Sequence, residues 1–148
     1  MEKLVLERDR DDFYVLEVND KGETIEFDLT DISLPEKILN ASNTIGMLDK
    51  EYREKIVELE NEENEEIKIK KVMELEKEKC VEMRKAFDSF LGDGACQKIF
   101  GNKNYYGMFI QLFNALEPHF AKMKIKTEKA KKKLVSKYLP NNSDSDVM

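Results

Sequence analysis

The sequence predicts an α+β protein, mainly α: an N-terminal β-hairpin followed by three to four helices in a small bundle. Three observations carry that prediction. Clean two-residue alternation is confined to residues 12–30, DFYVLEVNDKGETIEFDLT, and breaks once, at Asn19-Asp20-Lys21-Gly22. Beyond residue 36 the apolar residues recur at three- and four-residue steps, the helical period. The chain is 38 % charged and 41 % hydrophobic, a balance that suits helices with narrow core stripes and broad solvated faces.

In the hairpin, Phe13, Val15 and Val18 alternate before the turn, and Ile25, Phe27 and Leu29 alternate after it. Gly22 supplies the positive φ that such a turn needs. The preceding MEKLVLERD is a candidate third strand. A lone hairpin is marginal in water, so this one is expected to pack on the helices or to extend a partner's sheet.

Asp31 or Ser33 is placed to cap the first helix, with Pro35 in its first turn. Its apolar stripe is Ile38, Ala41, Ile45, Leu48, Tyr52, Ile56 and Leu59. NEENEE at 61–66 has no apolar residue, so it reads either as solvated helix or as a break, leaving 34–91 as one helix or two. A second stripe, Ile69, Met73, Glu76, Cys80, Met83, Phe87 and Phe90, steps by alternating fours and threes and resembles a coiled-coil seam. Gly92 then sits where a helix-closing glycine belongs, Asp93 or Gly94 starts a short helix, and Gly101 ends it. These three glycines are the expected structural turn. Asn102 or Asn104 is a candidate cap for a last helix carrying Tyr105, Phe109, Leu112, Phe113, Leu116 and Phe120, which Pro118 is expected to kink or split. Residues 1–139 are read as a single domain, 1–31 the hairpin region and 34–139 the helical region. Residues 140–148, PNNSDSDVM, have no core-forming content and are read as a disordered tail.

Charge is unevenly spread. Residues 51–78 hold eleven acids and six bases, whereas 122–137 hold eight lysines and one glutamate. Such blocks read as solvated faces or as pairing within or between subunits, which leaves homo-oligomerisation open. Nucleic-acid binding is not favoured, because the lysine block has no arginine and no aromatic before Tyr138. No stretch has the length and apolarity of a membrane span. The first residues lack the apolar core of a secretory signal, so the cytoplasm is the expected compartment.

The residues of chemistry are sparse. Cys80, Cys96 and the single histidine, His119, have no metal-ligand spacing, so neither metal nor cofactor is expected. Cys80 lies on an apolar stripe. Cys96 would be reactive only if the short helix lowered its thiol pKa, and no general base accompanies it. Gly92, Gly94 and Lys98 do not follow the phosphate-loop order and come after a helix rather than a strand. No catalytic residue is assigned, and the protein is read as not an enzyme.

One feature exceeds a bland core: Phe87, Phe90, Phe100, Tyr105, Tyr106, Phe109, Phe113 and Phe120 fall within 34 residues. They form either the core joint between two helices or an aromatic surface for a partner. The first seven are the candidate partner-binding residues.

Segment 22–45, GETIEFDLTDISLPEKILNASNTI, resembles the opening of small phage and prophage proteins of low-GC Gram-positive bacteria, in which a G-x-x-x-E-F-D strand precedes an acid and a helix beginning E-K. Segment 86–101, AFDSFLGDGACQKIFG, is similar to that group's F-x-x-x-F-G-x-G-x-x-x-x-I-F-G turn. Phe87, Phe90, Gly92, Gly94, Ile99, Phe100 and Gly101 take its places, with Leu91 standing before Gly92. Such proteins look like tail-assembly chaperones. The resemblance implies a non-enzymatic protein that binds hydrophobic helical segments of a tape-measure-type client in the cytoplasm of a bacterial host. The alternative is a structural virion component, a tail, connector or baseplate subunit whose partners are its virion neighbours.

Overall fold

The computed structural model describes residues 1–138, with side chains through Lys124. The expected tail at 140–148 lies outside the described residues, as do the side chains of most of the lysine block. The order of elements is β1 (Phe13–Glu17), β2 (Thr24–Asp28), α1 (Leu34–Glu58), α2 (Glu65–Leu91), α3 (Ala95–Phe100) and α4 (Met108–Tyr138), with short 3-10 turns at Arg10–Asp12 and Leu59–Asn61. This is the α+β, mainly α architecture expected: a two-stranded antiparallel hairpin and, among the described residues, four helices.

The hairpin register is fixed at both ends. Leu29 N–H donates to the Asp12 carbonyl at 2.8 Å, and Val18 N–H donates to the Glu23 carbonyl at 2.9 Å. The turn is built on Asn19, whose side-chain oxygen accepts from the backbone N–H of Lys21 and of Glu23, while Gly22 takes φ +78°. On β2 the buried residues are Ile25 and Phe27, followed by Leu29, as the alternation predicts. On β1 the inward face is the other one. Tyr14 is buried, opposite Phe27, whereas Val15 is exposed and Phe13 half-buried. The reason lies outside the strand. Arg8 and Arg10 stack on the Phe13 ring at 5.0 and 5.1 Å and pair with Asp28 and Glu26, so that face is roofed by charge and belongs to solvent.

The proposed third strand does not form. Residues 1–9 have no regular structure, and Leu4, Val5 and Leu6 are exposed. The Asp9 carboxylate instead caps the 3-10 turn by accepting from Asp11 N–H.

Residues 34–91 make two helices. Asn64 ends the break, its side-chain oxygen accepting from Glu66 and Ile67 N–H at 3.0 and 3.2 Å, with Glu65 and Glu66 in the first turn where the helix dipole favours acids. Ser33 occupies the cap position of α1 but makes no side-chain cap hydrogen bond there. α1 packs along α2. The α1 stripe faces inward as expected, with Ala41 and Tyr52 buried and Ile38, Ile45, Leu48, Ile56 and Leu59 half-buried. A charged rung crosses the pair, Lys79 Nζ to Asp49 Oδ1 at 2.9 Å.

The chain contacts divide into two compact units. Among the described residues, one comprises 1–16, 26–32 and 107–138; the other comprises 17–25 and 33–106. In the first, the buried side chains among the described residues are Tyr14, Phe27, Leu29, Met108, Leu112, Leu116 and Met123. The α4 residues among them are spaced four, four and seven apart, a helical stripe. His119 falls within that last interval, and its Nδ1 meets the Tyr14 hydroxyl at 2.7 Å, with the rings edge to face. α4 runs unsplit through Pro118. In the second unit the interior includes Tyr52, Met83, Ala86, Phe87, Phe90, Leu91, Ala95 and Cys96.

Candidate partner-binding groove

The elbow after α2 begins with Gly92, whose N–H donates to the Asp88 carbonyl at 2.9 Å. It closes the helix as expected, but at φ +112°, ψ 154°, outside the left-handed helical conformation common at that position. Gly94 is the residue that takes that conformation, at φ +76°, ψ 5°, and leads into α3. The first turn of α3 is capped from α2: the Asp88 carboxylate accepts from Cys96 N–H at 2.9 Å. Gly101 ends α3 at φ +62°.

That geometry decides the fate of Cys96. Its thiol is fully buried and points at the Arg84 carbonyl, 3.7 Å away. Burial, and then the neighbouring Asp88, push the thiol up to about 12, opposite to the activation a helix N-terminus would give. Lys98 is likewise structural. Its ammonium donates to the Thr24 carbonyl at 3.0 Å, and its own carbonyl accepts from the Asn19 amide at 2.9 Å.

Beyond α3 the chain is anchored at three points by Arg84. Arg84 donates from Nη1 to the Gly101 carbonyl at 3.1 Å, from Nη2 to the Lys103 carbonyl at 2.7 Å, and from Nε to the Asn104 side chain at 3.1 Å. Its guanidinium also lies 5.7 Å from the Phe100 ring centre. The segment so fixed carries Tyr105 and Tyr106 along the flank of α2. Tyr105 meets Phe100 edge to face at 6.2 Å, and the Tyr106 hydroxyl donates to Glu76 at 2.7 Å. Between this segment and α2 lies an open groove of about 390 Å³, lined by Met73, Glu76, Lys77, Cys80, Asn104, Tyr105 and Tyr106. The groove lies wholly within the second unit. Its Cys80 thiol is half-buried, and burial pushes its pKa up; the Tyr106 phenol is raised by its bond to Glu76.

The seven aromatic candidates therefore separate. Phe87 and Phe90 are interior, 1 % and 7 % exposed, and present no surface, because the seam they stand on is covered over its second half. Phe100 is half-buried beneath Tyr105. Tyr105 and Tyr106 are exposed, at 48 % and 85 %, and they precede α4 rather than lying on it. Phe109 and Phe113 belong to the other unit, half-buried and 40 % exposed. The groove itself was not anticipated from sequence. Spacing alone hides it: Ile69 and Met73 share the spacing of Met83 and Phe87, yet stand 56 % and 51 % exposed.

Among the described residues, no cluster of three or more His, Cys, Asp or Glu side chains has the arrangement of a metal site, and no helix is long and apolar enough to cross a membrane. The hairpin and helices define a mainly α member of the α+β class. Residues 21–146 match DUF6673, a family of unknown function, and the chain belongs to that family. No curated protein and no solved structure matches it.

Proposed function

We propose that the protein is a non-enzymatic tail-assembly chaperone of phage or prophage origin, which holds hydrophobic helical segments of a tape-measure-type client in the cytoplasm of a bacterial host. The observation that carries this reading is the Tyr105–Tyr106 pair, fixed outside the core beside an open groove on α2. Tyrosines offer large contact area with a polar tip and lose little freedom on binding, which suits protein recognition. The residues with chemical potential support the non-enzymatic part: Cys96 is sealed, Lys98 is spent on two backbone contacts, and His119 is bonded to Tyr14. The phage setting rests on the resemblance of segments 22–45 and 86–101.

Co-expression with a tape-measure-type client is the direct test. The expected result is a client that stays soluble and co-purifies with the wild-type chain, and that is recovered in much smaller amount with a Tyr105→Ala/Tyr106→Ala variant. A client indifferent to the wild-type chain overturns the reading. A second reading, a structural virion component, is supported by exposed Leu4, Val5 and Leu6 and by a sheet that has two strands among the described residues, an edge suited to strand addition. Mass spectrometry of purified particles separates the two, since a chaperone is absent from them.

A further inference from the structure

We infer that the α2 groove is built for an amphipathic helix whose flanks are acidic. This rests on the chaperone reading for its client but on the groove alone for its chemistry.

The stripe on α2 is continuous in sequence and covered for only half its length. Met83, Phe87 and Phe90 are buried, whereas Ile69 and Met73, on the same seam, stand open to solvent and lead into the groove beside Tyr106. Residues at three- and four-residue steps present a ridge that another helix of like spacing covers along its length. An extended strand is the wrong shape for it, because the backbone donors and acceptors inside α2 are already used within the helix.

Charge selects among helices. Lys70, Lys77 and Arg84 stand at seven-residue intervals and so form one row beside the stripe. Arg84 is consumed by the carbonyls of Gly101 and Lys103. Lys70 has only a solvent-exposed pairing to Glu66 at 3.6 Å, and Lys77 lines the groove with no ion pair among the described residues. Glu76, which receives the Tyr106 hydroxyl and keeps its charge, stands on the seam itself and not in the flanking row. The row that meets the flank of an incoming helix, Lys70 and Lys77, is basic. A second copy of α2 is a poor occupant, since its own Lys70 and Lys77 would meet like charge. A helix with Asp or Glu beside its apolar stripe is the complementary one.

The test uses the full chain and two synthetic peptides of about six turns with identical leucine stripes, one flanked by glutamates and one by lysines, read by fluorescence anisotropy. At low ionic strength the glutamate peptide is expected to bind roughly tenfold or more tightly than the lysine peptide, with the gap narrowing as salt is added. Lys70→Glu/Lys77→Glu should reverse the order, and circular dichroism verifies that this surface variant is folded. Met73→Asp should weaken the glutamate peptide. Binding of neither peptide, equal binding, preference for lysine flanks, or competition by self-association each overturns the inference. Its failure is distinguishable from that of the chaperone reading. A client that still co-purifies with Lys70→Glu/Lys77→Glu rejects the acidic flank alone, and peptide discrimination without client rescue rejects the chaperone alone.

Discussion

The side-chain amide of Asn19 donates to the backbone carbonyl of Lys98 at 2.9 Å, tying the hairpin turn to α3 across 79 residues of sequence. The same Asn19 accepts from Lys21 and Glu23 N–H, so one side chain both shapes the turn and docks it. Asn19→Ala should cost about 2 kcal/mol, as two or more hydrogen bonds are lost together. Lys98→Met removes only the contact to Thr24 and should cost about 1 kcal/mol. Urea denaturation of the two variants checks the order; an equal or reversed order rejects the double role.

Burial separates the aromatic residues by their effect on stability. Phe87→Ala should lose roughly 3–5 kcal/mol, the range for emptying a packed aromatic site. Tyr106→Ala should lose about 1 kcal/mol or less, since an exposed ring contributes little beyond its bond to Glu76. Thermal and chemical unfolding distinguish the pair, and a large loss at Tyr106 would remove it from the recognition surface.

Gly94 tests the elbow. A Cβ there would meet nothing within 4 Å, so steric room is not the issue. The cost of Gly94→Ala comes from holding a side-chain-bearing residue at φ +76°, about 1–2 kcal/mol. A denaturant midpoint that does not move would show that the elbow relaxes.

The pH dependence of the α1–α2 contact follows from Asp49, whose carboxyl is held below its ordinary value of 3.8 first by the hydrogen bond from Lys79 and further by the charges of Lys79 and Arg53. A lowered folded-state pKa gives stability that is fully present above 3.8 and is lost as pH falls through the folded value. With the Asp49 side chain 43 % exposed, solvent screening limits the pair to about 0.5 kcal/mol. Asp49→Asn should therefore be slightly less stable than wild type at pH 6, with the difference shrinking towards pH 2.5. A difference that grows on acidification contradicts the assignment.

The two thiols should behave differently. At pH 8 a thiol reagent is expected to modify Cys80 slowly and to leave Cys96 intact until the chain unfolds, as its burial and raised pKa dictate. Counting modified sites by intact mass, with and without denaturant, checks this.

Much of the architecture was legible because local patterns agreed with tertiary packing. Ile25, Phe27 and Leu29 alternate beside polar neighbours, and the α1 stripe from Ile38 to Leu59 allows only one buried face. β1 misled because FYVLE is apolar on both faces, so Phe13–Val15 and Tyr14–Leu16 fit equally well until Arg8 and Arg10 cover one of them. The break at 61–66 depended on Asn64 reaching two backbone donors, where local composition alone allowed continued helix. Tyr105 looked helical by its spacing to Phe109. It and Tyr106 instead precede α4, in a segment anchored by Arg84, whose contacts join residues 17 to 20 apart in the chain and leave no periodic trace.

Arg84 has a consequence for affinity. A loop that must freeze when a partner arrives loses conformational freedom at that moment, and binding is weaker by that amount. Here the freezing is done during folding, by a guanidinium that holds two carbonyls and an amide. Arg84→Met would leave both tyrosines in place chemically but let them wander. A partner bound in the groove as proposed would then dissociate faster with no direct contact removed, its tightness resting partly on a side chain that it never touches.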